Sequence, residues 1–188
     1  MSACWSRHVI AFWVISSLSL AGCASVPHLA EAPLNPSYVF SREGLLRYKV
    51  PVGWFDATRD SQSVAAEIWL VKNDYAATIT VSKIGIDAET RRAIDREGLA
   101  RLADLTLTLA GATSATLLQP TVSSTVNGKE QYSYIVTNPA TSDTTRVVLV
   151  DSGENVFEVI GLVPGNQHRV TSDEVFSVQE SFVKSLRW

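Results

Sequence analysis

Cysteine and histidine are scarce in this sequence, and their scarcity limits the chemistry open to the chain. The 188 residues contain two cysteines, Cys4 and Cys23, and three histidines. Beyond residue 37 there is one histidine, His168, and no cysteine. A domain in that range can form neither a disulfide nor a thiolate metal site, so its stability must come from its core.

Motifs for catalysis and cofactor binding are scarce as well. The chain contains no G-x-S-x-G, no H-E-x-x-H, no G-x-G-x-x-G and no P-loop, which mark many serine hydrolases, zinc proteases and nucleotide sites. His168 has no such motif beside it and is predicted to be a loop residue rather than a general base. We therefore expect a protein that is not an enzyme and that binds no cofactor and no metal.

The chain also lacks a strong charge of either sign. Charged residues make up 19% of it, and the formal net charge is −3. Attraction to phosphates or to anionic lipids requires a basic surface. From its net charge, the protein is expected to bind neither nucleic acid nor an anionic membrane surface.

The most informative segment that is present lies near residue 20. Arg7 and His8 precede an apolar run at residues 9–20, which has the length of a signal-peptide core and is too short to cross about 30 Å of hydrocarbon. The sequence LAGC follows at residues 20–23. It resembles the lipobox of bacterial lipoproteins, and the alternative is an ordinary secretory signal peptide with a chance cysteine.

This resemblance implies a lipid anchor at Cys23. In that family the signal peptide is removed before the cysteine, whose thiol carries a diacylglyceryl group and whose amine is usually acylated, for example with palmitate. Two or three acyl chains hold a protein firmly at a membrane, because each buried CH₂ contributes about 0.8 kcal/mol. The next residue is Ala24 rather than aspartate, which by the same resemblance implies the outer membrane, facing the periplasm.

Three segments follow from this organisation. We predict a lipoprotein signal peptide at 1–22, a proline-containing tether at 23–37 and a single globular domain at 38–188. Pro27, Pro33 and Pro36 in the tether remove backbone donors and favour extended chain.

Alternation of apolar and polar residues predicts an antiparallel sheet of about six to seven strands in the domain. One hairpin joins residues 64–72 to 75–84 through Asn73-Asp74, and a second joins 117–126 to 130–137 through Asn127-Gly128. The continuous apolar run VVLV at 147–150 predicts a strand that is covered on both faces.

Two helices are predicted to pack with this sheet, which makes the fold class α+β. A long central helix runs from Asp87 to Ala110 and is ended by Gly111. A C-terminal helix has Thr171 as its N-cap and Glu174 three residues later. The predicted apolar stripes are Ile94, Leu99, Leu102, Leu105 and Leu109 on the first helix, and Val175, Val178, Phe182 and Leu186 on the second. Ion pairs Arg91–Asp95 and Glu97–Arg101 are expected on the first helix.

The element order resembles that of a known fold. With the segment YKVPVGW at 48–54 and FVKSL at 182–186, it is similar to the α/β fold shared by photosystem PsbP proteins and a Ran-binding protein. The resemblance implies an antiparallel sheet between helices over residues 38–188. It also implies a role in binding or assembly rather than catalysis.

Two functions are compatible with these features. The first is a lipid-anchored, non-enzymatic periplasmic protein that binds an unknown partner in envelope assembly or maintenance, through a flat aromatic patch. The second is a module that holds a small-molecule or lipid ligand in an apolar cavity between sheet and helix. Candidate interaction residues are Trp54, Trp69, His168 and Arg169, with core packing as the alternative role of both tryptophans.

Overall fold

The computed structural model describes residues 31–63, 65–112, 115–166 and 168–188. The predicted signal peptide, the lipobox with Cys23, and tether residues 24–30 lie outside these ranges. In chain order the elements are β1 (Leu34–Phe40), β2 (Arg47–Pro51), β3 (Trp54–Asp56), a 3-10 turn (Ser61–Ser63), β4 (Ile68–Lys72), β5 (Thr78–Ile84), α1 (Ala88–Glu97), α2 (Ala100–Ala112), β6 (Thr116–Val126), β7 (Lys129–Thr137), β8 (Thr144–Asp151), β9 (Val156–Val163) and α3 (Ser172–Ser185).

Seven strands form one antiparallel sheet in the order β3-β4-β5-β9-β8-β7-β6, and β1 and β2 form a separate antiparallel pair. The predicted α+β class, with an antiparallel sheet and a C-terminal helix, is confirmed. No helix within the described ranges is long and apolar enough to cross a bilayer.

The β6–β7 hairpin has the turn that its sequence predicts. Asn127 and Gly128 have φ values of 53° and 75°, and a two-residue type I′ turn requires positive φ at both positions. Val126 and Lys129 pair directly across it.

The predicted β4–β5 hairpin is also present, but its turn is longer than expected. The Lys72 N–H bonds to the Ala77 carbonyl at 3.0 Å, so four residues lie between them instead of Asn73-Asp74 alone. Positive φ occurs at Tyr75, with a value of 60°.

One side of the seven-stranded sheet carries the main core. It packs against α3 and β2 through alternate apolar residues of the strands, which include Ile68, Leu70, Ile79, Val81, Phe157 and Val159. Phe182 of α3 meets the ring of Tyr48 edge-on, with 5.8 Å between centroids. Burial of each such large side chain contributes about 1.5–3 kcal/mol. The predicted stripe on α3 is confirmed, since Val175, Phe182 and Leu186 are buried and Val178 is partly buried.

The other side of the sheet is covered over part of its width by α1 and α2. Ile94, Leu99 and Leu102 pack there against Tyr134 and Leu149. Because both sides are covered at β8, all four residues of the VVLV run are buried, as predicted.

The predicted long central helix is two helices, with a break at Gly98. The φ of Gly98 is 77°, a left-handed conformation that glycine adopts at little cost, and its N–H bonds to the Ile94 carbonyl at 2.8 Å. Gly111, which was predicted to end the helix, lies inside α2.

The break at Gly98 also changes the predicted helix surface. Leu105 and Leu109 are 54% and 60% exposed, so the predicted stripe is wrong for these two residues. The Arg91–Asp95 ion pair forms at 2.7 Å. No ion pair of the described residues joins Glu97 to Arg101, because these residues now lie in different helices.

β1 begins at Leu34, within the range predicted as tether. Leu34 pairs with Pro51, and the Val52 N–H bonds to the Pro33 carbonyl at 2.9 Å. The register shifts between Leu34 and Tyr38, so Pro36 lies in an irregular part of β1, which is a position where a strand tolerates proline.

Candidate functional site

The candidate site is the part of the sheet that α1 and α2 leave uncovered, on the side opposite α3. It lies on β3, β4, β5 and β9, where alternate side chains point away from the main core. This surface, the open sheet face, consists of Phe55, Trp69, Val71, Thr78, Thr80, Ser82, Glu158, Ile160 and Leu162. Val71 is buried among its neighbours, and Ile160 lies at the border, where it packs against the cluster under α1 and α2.

Strand register brings these residues together. Trp69 pairs with Thr80, and Thr80 pairs with Ile160, so the three side chains form one row across three strands. In the next row Ser82 pairs with Glu158. Directly opposed residues have Cβ atoms about 4.5–5.5 Å apart, which is close enough for one ligand surface to contact all five.

Aromatic side chains lie at the β3 end of this surface. Phe55 meets Tyr75 edge-on, with 5.7 Å between ring centroids, and the Tyr75 side chain is 72% exposed. A positive φ is uncommon for a bulky residue, yet Tyr75 adopts one in the β4–β5 turn. Together with half-buried Trp69, these rings give the open sheet face a large apolar contact area.

A shallow groove of about 250 Å³ separates the open sheet face from the 3-10 turn, and Trp69, Thr80 and Ser82 form its floor. Arg42 fixes the wall of this groove. Its guanidinium donates hydrogen bonds to the carbonyls of Thr58, Ser63 and Ala66, the last two at 2.8 and 3.0 Å. The wall is therefore held by partly buried polar contacts.

Glu158 is the charged residue of this surface. It is half-buried, and burial raises the pKa of its carboxyl. Among the described residues no hydrogen bond or ion pair compensates for this desolvation. A desolvated carboxyl in a binding surface favours a donor or a cation on the incoming group.

Arg91 fastens α1 to the neighbouring, covered part of the sheet. Its guanidinium donates to both carboxylate oxygens of Asp151, at 2.9 and 2.7 Å, and hydrogen bonding to Asp151 raises the pKa of Arg91. Burial alone would raise the pKa of Asp151, but the hydrogen bonds from Arg91 and the Gly153 N–H lower it overall. This bidentate pair sets the border of the open sheet face.

The four predicted interaction residues occupy different environments. Trp54 is buried in the main core, which agrees with its alternative role in packing, whereas Trp69 lies on the open sheet face. His168 and Arg169 are exposed in the segment between β9 and α3. No contact of the described residues places these two beside Trp69.

One motif escaped the sequence analysis. Ser181 and Lys184 have the S-x-x-K spacing of some serine enzymes, and both lie on α3. The Ser181 hydroxyl accepts a hydrogen bond from the Ala32 N–H at 2.8 Å, and Lys184 pairs with Glu31 at 3.3 Å and Glu180 at 3.7 Å. These contacts fasten the start of the described chain to α3.

Several clefts are relevant to the second predicted function. One of about 230 Å³ lies between α1 and α2 and is lined by helix residues such as Ile94 and Leu102. Another, of about 400 Å³, is lined by both sheet and helix residues, including Trp54 and Val178. Within the described ranges no group of three or more His, Cys, Asp or Glu residues is arranged to hold a metal ion.

Comparison with known proteins identifies the fold. No protein-family model matches the chain, and no curated protein matches it in sequence. A solved structure of a mutant of protein Mog1 is similar, with a TM-score of 0.50 and 17% identity over 81% of this chain and 95% of that one. A protein from Bacteroides thetaiotaomicron has a TM-score of 0.45 and 14% identity, over 80% of this chain and 47% of that one. The similarity to Mog1 shows that the chain has a Mog1-like α+β fold.

Proposed function

We propose that this protein is a non-enzymatic binding module that takes a protein partner on the open sheet face. A lipid on Cys23 holds it at the outer membrane, where its partner serves envelope assembly or maintenance. The observation that carries the binding role is the combination, on one sheet surface, of exposed or half-buried aromatic rings with a carboxyl, Glu158, that has no partner among the described residues.

The composition of the open sheet face suits a protein partner. Aromatic side chains such as Trp69 and Phe55 supply contact area and are enriched among the residues that dominate binding energy. Thr80 and Ser82 offer hydroxyls that donate or accept hydrogen bonds. Glu158 favours a lysine, an arginine or another donor opposite it, so we expect a partner segment that combines an apolar anchor with a basic residue.

The lipid anchor is proposed from residues 20–23, whose sequence LAGC resembles a lipobox. An anchored binding module needs no catalytic group, because its contribution is to hold a partner at the membrane. The scarcity of cysteine and histidine agrees with that role.

A ligand-binding role is the second candidate, and the cleft beside Trp54 is the observation that favours it. This cleft of about 400 Å³ lies between sheet and α3, where Val178 adds apolar surface. Its lining also includes Lys72 and Glu174, so a ligand there would need polar groups as well as an apolar part. The open sheet face remains the stronger candidate, because it presents more aromatic surface.

Chemical crosslinking in intact cells, followed by identification of the captured protein, tests the binding role. The combined variant Phe55→Ala and Trp69→Ala should lose the captured partner, since truncation of a dominant interface aromatic costs about 2 kcal/mol or more, roughly thirtyfold in affinity. Leu109→Ala with Leu118→Ala is the matched control, because these exposed apolar residues lie on α2 and β6, away from the open sheet face.

The control variant should keep the partner at the wild-type level. If the two double variants behave alike, the open sheet face is not the binding surface. The ligand-binding role predicts instead that a small molecule co-purifies with the wild-type protein. If Trp54→Phe loses this molecule while the open-face variant retains it, the ligand-binding role replaces our proposal.

The anchor has a separate test. Cys23→Ser should leave an uncleaved, unlipidated precursor, which mass spectrometry and detergent partitioning detect. A variant that still yields a mature protein of unchanged mass in the detergent phase would show that the lipobox assignment is wrong.

A further inference from the structure

A second exposed surface lies on the outer side of the β1–β2 pair. Tyr38 and Phe40 alternate on β1 with Val39, which packs against the main core, so both rings point outward. They are 42% and 61% exposed. Trp188, near this pair, is 44% exposed.

The two rings on β1 each pair across the strands with a cationic residue of β2. Tyr38 pairs with Lys49, whose Nζ lies 5.0 Å from the centroid of the Tyr38 ring, within the range of a cation–π interaction. Phe40 pairs with Arg47. Arg47 in turn forms a two-way backbone bridge with Arg187, with N···O distances of 2.7 and 2.8 Å.

These contacts define an aromatic–basic face, which consists of Tyr38, Phe40, Arg47, Lys49, Arg187 and Trp188. None of its three cations has a carboxylate partner among the described residues. The nearby carboxylates Glu31 and Glu180 pair with Lys184 instead. A local positive surface therefore exists on a chain of net negative charge, and the expectation drawn from net charge does not describe this face.

The aromatic–basic face also lies beside the first residues of the chain that the structure describes. Glu31 and Ala32 line the same cleft of about 330 Å³ as Tyr38, Lys49 and Arg187. In the proposed mature chain eight residues, 23–30, precede Glu31. Even fully extended they reach no more than about 30 Å, so an anchor at Cys23 keeps this face near the bilayer.

We infer that the aromatic–basic face docks on a bilayer surface that carries anionic lipid headgroups. The inference rests on the proposed lipid anchor at Cys23. Tyrosine and tryptophan favour the membrane–water interface because their rings are amphipathic, and lysine and arginine near the surface are attracted to anionic headgroups. Docking in this way turns the open sheet face, on the far side of the seven-stranded sheet, away from the membrane and toward a partner.

The test uses the full chain, purified as the processed protein and reconstituted in phosphatidylcholine vesicles with and without phosphatidylglycerol. Phe40→Cys and Phe55→Cys are matched variants, because each replaces an exposed phenylalanine and the processed domain has no other free thiol. Each is labelled with a fluorophore whose emission reports local polarity. The label at position 40 should shift to an apolar signal and resist an aqueous quencher when phosphatidylglycerol is present, whereas the label at position 55 should report water throughout.

A charge variant sharpens the result. Arg47→Gln, Lys49→Gln and Arg187→Gln combined should abolish the dependence on phosphatidylglycerol, since each cation changes the ratio of docked to undocked protein about fivefold. Added salt should have the same effect on the wild type.

The outcomes separate the docking inference from the anchor. If the protein floats with the vesicles, carries the lipid mass on Cys23, and reports water at position 40, the docking inference is overturned while the anchor stands. If position 40 is protected but no lipid mass is found, the docking face stands and the anchor is wrong. If position 40 crosslinks to a protein in cells and its fluorophore reports water on vesicles, a partner protein replaces the bilayer as the occupant of this face.

Discussion

The two sides of the seven-stranded sheet differ in what their shared strands present. Toward α3, strands β4, β5 and β9 present mainly apolar residues, such as Ile68, Ile79 and Val159, with Lys72 at the end of β4. On the opposite side the same strands present Trp69, the hydroxyl-bearing Thr80 and Ser82, and the apolar Ile160 and Leu162, next to the Glu158 carboxyl, which has no partner among the described residues. Because side chains alternate along a strand, one segment of sequence serves both a core and a surface. The polar, aromatic side is therefore free to be selected for binding without loss of the core.

The largest loss of folding stability is expected from a substitution on the α3 side of the sheet. Phe182→Ala removes a fully buried ring that contacts Tyr48, and large-to-small changes of this kind cost about 3–5 kcal/mol. Urea unfolding of a fragment that starts at Glu31 measures it. The control is Phe40→Ala, at an exposed position, where a change within about 0.5 kcal/mol is expected. Equal losses in the two variants would show that α3 does not close the core.

A smaller loss of folding stability is expected when the ion pair that holds α1 against the sheet, on the side opposite α3, is removed. Arg91→Gln removes the bidentate pair with Asp151, and hydrogen bonds between charged groups contribute about 1.5–3 kcal/mol. The hydrogen bonds that lower the pKa of Asp151 stabilise the folded state above the ordinary aspartate pKa of about 3.9, and this stabilisation is lost as the pH falls through the lowered value. The difference between variant and wild type should therefore shrink in acid. A constant difference from pH 7 to pH 3 would contradict this account.

Removal of the N-cap of α3 is expected to cause a third, smaller loss of folding stability. The Thr171 hydroxyl accepts a hydrogen bond from the Glu174 N–H at 3.2 Å, so Thr171→Ala should cost about 1 kcal/mol. Thr171→Ser keeps the acceptor and should cost less, as measured by the urea midpoint. A serine variant as unstable as the alanine variant would assign the loss to packing instead of capping.

The smallest change is expected on the open sheet face, where a substitution should increase folding stability instead of lowering it. Burial raises the pKa of Glu158 in the folded state, so ionisation of this carboxyl destabilises the fold as the pH rises above the ordinary glutamate pKa of about 4.3. Glu158→Gln should therefore stabilise the protein at pH 7 and lose that advantage in acid. Thermal unfolding at several pH values measures it. A destabilised variant at pH 7 would mean that the carboxyl has a structural partner.

The main features of the fold could be predicted because local chemistry specifies them. Asn127-Gly128 sets a hairpin turn, Thr171 caps α3, and the VVLV run identifies a strand covered on both sides. The break at Gly98 was missed because the apolar spacing continues across it, and only the backbone conformation shows that α2 begins anew.

The candidate site was only partly accessible from sequence. The pairing of Trp69 with Thr80 follows from one hairpin, but the pairing of Thr80 with Ile160 joins strands about 80 residues apart and depends on sheet order. The aromatic–basic face was missed for a related reason. Net charge averages over the surface, whereas Arg47 and Arg187 meet through a bridge between distant segments.

Photo-crosslinking in intact cells tests the central claim most directly, that the open sheet face binds a protein partner. A photoreactive phenylalanine analogue replaces Phe55 on the open sheet face or, in a matched variant, Phe40 on the aromatic–basic face. The account predicts a discrete protein adduct from position 55, which disappears when Trp69→Ala is added, and no protein adduct from position 40. An adduct from position 40 with none from position 55 would contradict it.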